Sequence, residues 1–92
     1  MEEVLKFLIF CRPRENAPMD RFAALVPGEA EELRRLKSEG ILVEAWSPGG
    51  PGAVLIIEAP SESEAQGIVS QLPLSVAGLI EIDLTSLHEL GI

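Results

Sequence analysis

"ILVEAWSPGGPGAVLIIEA", residues 41–59, decides the fold. Two runs rich in aliphatic and β-branched residues, 41–47 and 53–59, flank the cluster Pro48-Gly49-Gly50-Pro51-Gly52. Such runs read as strands and the glycine-proline cluster as a turn, so the segment is a β-hairpin with a long loop. What lies on either side of the hairpin sets the topology.

Upstream, from Asp20 to Glu39, Phe22, Leu25, Val26, Ala30, Leu33 and Leu36 recur at spacings of three and four, the period of a helix. Pro27-Gly28 interrupts the pattern and predicts a kink or a break into two helices. Gly40 reads as the C-terminal cap. Downstream, Ser61 and Glu64 form an S-x-x-E capping box. The helix they open presents Ala65, Ile68, Val69 and Leu72 on one side, and Pro73 ends it. "VLKFLIFC", residues 4–11, is a first strand and residues 77–87 a last one. The order β-α-β-β-α-β is the split βαβ, ferredoxin-like α+β arrangement: two helices on one face of a four-stranded antiparallel sheet. Residues 1–92 read as one domain.

Alternation along the strands assigns the two faces. Leu5, Phe7, Ile9 and Cys11 turn toward the helices, as do Ile41, Val43 and Ala45, Leu55 and Ile57, and Ile80, Ile82 and Leu84. The other face receives Leu8, Phe10, Leu42, Trp46, Val54, Ile56 and Leu79 among charges. A solvent-facing sheet side is mostly polar. An apolar patch of this extent exceeds what monomers ordinarily leave wet. A second copy closing face to face would cover it, giving a two-fold dimer with a barrel-like centre. A chain this short has a thin core and gains from such association.

The net charge of −8 argues against nucleic acid and against an anionic membrane surface. The single cysteine, Cys11, allows no internal disulfide, and no Cys/His set has zinc spacing. The opening "MEEVLKFLIFCRPR" carries acids before a short apolar run, unlike a signal peptide, and no apolar run reaches about 18 residues. A cytoplasmic protein is expected.

"SEGILVEAW" followed by "QLPLSVAGLIEIDLTSL" resembles muconolactone isomerase and its small relatives among the dimeric α/β-barrel proteins. The features that carry the resemblance are Glu39-Gly40, Trp46, the Leu72-Pro73-Leu74 step and Ile80-Glu81 followed by Leu87. It implies homodimers, rings of dimers, and a cofactor-free enzyme that shifts a double bond in an unsaturated lactone acid by proton transfer during aromatic catabolism. Where the family leads one to expect histidine in the second strand, this chain has Glu44. The loops "RPRENAP" and "SPGGPG" also differ from the family.

A double-bond shift needs a base, an acid to return the proton, and a positive group for the developing anion. Glu44 and Glu81 are the catalytic candidates, since a carboxylate in an apolar wall has a raised pKa. Arg12 could clamp a substrate carboxylate, and Trp46 and Phe10 could flank a planar ring. The structural readings are as concrete. Lys6 and Glu81 would form a cross-strand ion pair, and Trp46 would pack in the dimer. Cys11 would fill core space, and Glu29, Glu31 and Glu32 would be a solvated helix face. His88 has no catalytic partner in sequence. Relatives that hold their ligand between sheet and helices would instead use Phe22, Cys11, the 12–18 loop and Leu74. Beside the isomerase stand two alternatives: a non-catalytic small-molecule-binding or assembly protein, and a cofactor-free monooxygenase or cyclase on a polycyclic aromatic.

Overall fold

The computed structural model describes residues 4–92. Its elements are β1 (Leu5–Pro13), α1 (Met19–Ser38), β2 (Leu42–Trp46), β3 (Ala53–Ala59), α2 (Glu62–Ser70), α3 (Pro73–Val76) and β4 (Ile80–Leu87). The strands form one antiparallel sheet in the order β2-β3-β1-β4. This is the expected ferredoxin-like α+β arrangement. Helix α1 packs on α3 and β2, and α2 on β3 and β4. The core lies between the layers: Phe7, Ile9, Leu55 and Ile57 from the sheet meet Phe22, Leu36, Ala65, Val69 and Leu72 from the helices.

Local chemistry explains most boundaries. The Ser61 side chain accepts the N–H of Glu64 at 3.1 Å and starts α2. Gly40 takes φ +77°, the left-handed conformation that ends α1. Helix α1 nevertheless runs unbroken through Pro27. The proline removes one backbone donor, the partner of the Ala23 carbonyl. Ala23 is exposed, so water can serve that carbonyl. Phe22 and Leu36, on either side of Pro27, are buried in the same core and hold the two halves in register. Pro73 does more than end a helix. Helix α2 closes at Ser70, and Pro73 becomes the first residue of the short α3, where its missing N–H has no intrahelical partner to lose.

Two residues assigned to the free face belong to the core. A bulge between Leu42 and Glu44 shifts the β2–β3 register. Leu42 therefore points inward opposite Ile57 and is 4 % exposed, whereas Val43 is 36 % exposed. Leu79 precedes β4. The Gly78 turn, with φ +72°, folds Leu79 into the core, and its backbone bonds Leu74 and Arg14. The free face that remains is still mixed. Leu8, Phe10, Val54 and Ile56 are half-buried and Trp46 is 63 % exposed, among Lys6, Arg12, Glu44, Glu58, Glu81 and Asp83.

Register also corrects the expected Lys6–Glu81 pair. Lys6 lies opposite Glu58 and Leu87, and Glu81 lies opposite Arg12.

Candidate functional site

An apolar, half-open cavity of about 290 Å³ lies between sheet and helices. Three turns of α1 supply one wall through Phe22, Val26, Glu29, Ala30 and Leu33. Cys11 and Ile80 form the sheet side. The turn Gly50-Pro51-Gly52 with Ala53, and Leu74 of α3, complete the rim. The sheet, α1, α3 and the β2–β3 turn thus all meet at one place.

Among the described residues Glu29 is the buried polar or charged one, 9 % exposed. Its Oε1 accepts the Leu74 backbone N–H at 3.0 Å, which ties α1 to α3. Among the described residues no hydrogen-bond partner is found for Oε2, and no buried side-chain oxygen goes unsatisfied. Oε2 is therefore an open acceptor on a carboxyl group that lines the cavity. Burial raises the Glu29 pKa above the ordinary carboxylate range. The Leu74 N–H opposes that rise, and neighbouring Glu32 adds to it. Cys11 shares the cavity, and its thiol is pushed up to about 11, by burial first and by the Glu29 charge second. A thiol so held is protonated and a poor nucleophile near neutrality.

Glu29 was expected on a solvated helix face. Glu31 is exposed and Glu32 takes hydrogen bonds from Arg35, as that reading requires. Glu29 instead stands seven residues after Phe22 and seven before Leu36, two helical turns from each buried neighbour. That spacing is the signal that places it on the buried stripe.

The other candidates lie on the opposite side of the sheet. Glu81 and Asp83 both engage Arg12, at 3.5 Å in the case of Glu81, and all three side chains are about half exposed. Arg12 also lies over the Phe10 ring, 5.8 Å from its centre. The Trp46 indole N–H donates to Glu44 Oε1 at 3.1 Å. Thus Arg12, Glu81 and Phe10 form one cluster and Glu44 and Trp46 another, with neither in the cavity. His88 borders a polar cleft at the far end of the sheet with Lys6, Glu58 and Glu89. Among the described residues no His, Cys, Asp and Glu side chains cluster as a metal site, and no helix is long and apolar enough to cross a membrane.

Fold and cavity define a ferredoxin-like α+β domain with a ring-sized apolar hollow between sheet and helices and one carboxylic acid in its wall. The chain belongs to the muconolactone delta-isomerase family, whose model matches residues 7–90. Solved structures share the fold, among them an isomerase and a dehydrochlorinase. Muconolactone isomerase superposes with a TM-score of 0.73 at 22 % identity, over 94 % of this chain and 91 % of that one. The 5-chloro-2-hydroxyhydroquinone dehydrochlorinase (TftG) of Burkholderia phenoliruptrix AC1100, in complex with 2,5-dihydroxybenzoquinone, does so with 0.67 at 23 % identity, over 87 % and 90 %. No curated protein matches the chain.

Proposed function

We propose that this protein is a cofactor-independent enzyme of the isomerase type that moves a proton on a small unsaturated lactone or aromatic-derived ring. Glu29 is the group that carries the proton. The observation behind this reading is Glu29 itself: a buried carboxyl of raised pKa, oriented through one oxygen by Leu74 and open through the other, in an apolar cavity. A carboxylate with pKa moved toward neutrality is suited both to take a proton from carbon and to return it. Among the described residues, no Arg or Lys lines the cavity. The buried part of the substrate is therefore uncharged, and a substrate carboxylate stays at the mouth. The cavity has room for a planar ring, such as the quinone bound to the dehydrochlorinase. Membership of the family supports a cytoplasmic role in aromatic catabolism.

The test is deuterium exchange from D2O into muconolactone-type lactones at the carbon beside the ring carbonyl. Exchange above the buffer rate, with kcat/KM rising with pH through an apparent pKa above the ordinary glutamate value, is the expected result. A second reading rests on the absence of a cation beside Glu29 in the cavity: a non-catalytic binding protein. Uptake of the lactone with exchange no faster than buffer would favour it.

Glu44, Glu81, Arg12, Trp46 and Phe10 then serve assembly. The proposed partner is a second copy lying across the free face, with Phe10 and Trp46 at the centre and the Arg12 cluster pairing charges that would otherwise be stranded. Sedimentation of the wild type at micromolar concentration is expected to give a dimer or a multiple of it. Phe10→Lys, which sets a charge in the middle of that face, is expected to give monomer. A monomeric wild type would reject the dimer.

A further inference from the structure

The turn after β2 forms one wall of the cavity through Gly50, Pro51 and Gly52. Its three glycines are not equivalent. Gly49 and Gly52 have φ of +97° and +113°, conformations that side chains resist. Gly52 has a second reason: a Cβ there would come within 2.5 Å of the Cys11 carbonyl oxygen. Gly50 has neither constraint. Its φ is not positive, and a Cβ added to it would meet no heavy atom within 4 Å. Where the backbone suits any residue, alanine is the more stable choice, because glycine enlarges the unfolded ensemble. The backbone therefore does not require glycine at position 50, which lies on the cavity rim.

We infer that Gly50 is a specificity-determining position of the candidate site, leaving room for a second fused ring, so that the site takes planar ligands up to bicyclic size. The inference rests on the proposed reading of the cavity and deepens it. An apolar cavity of about 150 Å³ takes up benzene. The cavity here, at about 290 Å³, is nearly twice that. Phe22, Val26 and Leu33 offer an apolar wall, while the rim at Gly50 contributes no side chain. On this inference a side chain at the Gly50 rim shortens the cavity and spares the end beside Cys11 and Ile80.

The experiment is titration calorimetry of phenol and 1-naphthol with the wild-type full chain and with Gly50→Ala, Gly50→Val and Gly50→Leu. The expected result is stepwise loss of 1-naphthol affinity, reaching about tenfold or more at leucine, with phenol affinity unchanged. Gly50→Ala is expected to melt no lower than the wild type, so the alanine and valine steps decide the matter even if the leucine variant folds poorly. Equal loss for both ligands, no loss for either, or a Gly50→Ala variant less stable than the wild type would overturn the inference alone. Failure of the wild type to take up either phenol would instead overturn the reading of the cavity, and the inference with it.

Discussion

Glu29→Gln is expected to lower lactone turnover by about 10²- to 10⁴-fold, the usual contribution of a positioned acid–base group. Glutamine has the same shape, and its Oε1 can still accept the Leu74 N–H, so the α1–α3 tie survives. What is removed is the capacity to exchange a proton at the open oxygen. The cavity walls are otherwise apolar, so ring binding should change little and the loss should fall on kcat. The wild-type pH profile should lose its ionisation in the variant. A variant that keeps more than a tenth of wild-type turnover would move the chemistry elsewhere. Glu44→Gln and Glu81→Gln would then be the next substitutions to assay.

The same substitution has a stability signature of defined sign. The folded Glu29 pKa lies above the unfolded value of 4.5, so between the two the folded chain binds the extra proton. The favourable contribution of neutral Glu29 is complete below 4.5 and is lost as pH rises through the folded pKa. The glutamine variant is always neutral there. Its stability relative to the wild type should therefore rise with pH across that window and then level off. Urea unfolding of both proteins from acid to neutral pH measures it, and a difference independent of pH would mean that Glu29 is not desolvated.

The layered architecture is legible in the sequence because it depends on period and punctuation. The 41–59 hairpin, the Ser61 cap and the stripe from Phe22 to Leu36 each state their element locally. The two faces of the sheet are less legible. One extra residue in β2 reverses the parity before it, so Leu42 enters the core and Val43 leaves it, and no residue type there announces a bulge. The Gly78 turn shortens the last strand and draws in Leu79 by the same logic. The candidate site was legible in part: Phe22, Cys11 and Leu74 line the cavity as the resemblance implied for a pocket between sheet and helices, the 12–18 loop does not, and Glu29 was hidden. Glu29 sits in an acidic run whose neighbours are solvated, so composition argues for water while position argues for burial. The heptad interval to Phe22 and Leu36 carries more information than charge. Leu74, which orients Glu29 through its backbone N–H, leaves no trace in residue type. The free-face carboxylates attract attention because they interrupt apolar strands, but register gives Glu81, on the last strand, to Arg12 on the first, a partner distant in sequence.

Gly52→Ala is expected to be the most damaging small substitution in the β2–β3 turn. Two costs combine. At φ +113° an alanine is strained, by about 1–3 kcal/mol. Its Cβ would also stand 2.5 Å from the Cys11 carbonyl oxygen, well inside the roughly 3.3 Å of a close carbon–oxygen contact. That oxygen is main-chain and belongs to β1, an inner strand paired on both sides, so it cannot rotate away. Relief requires opening the Cys11–Ala53 end of the β1–β3 ladder, a displacement of the kind that costs about 1–3 kcal/mol in a packed core. Together these approach half of the roughly 5–14 kcal/mol that holds a domain of this length. At about 4–8 °C for each kcal/mol, the melting temperature should fall by about 8 °C or more. Gly49→Ala separates the two causes. Its φ is +97° but its Cβ meets nothing within 4 Å, so it should lose only the strain term. Equal losses at 49 and 52 would show that β1 yields to the intruding methyl at no cost, and the close approach of the turn to Cys11 would then not fix the wall of the cavity.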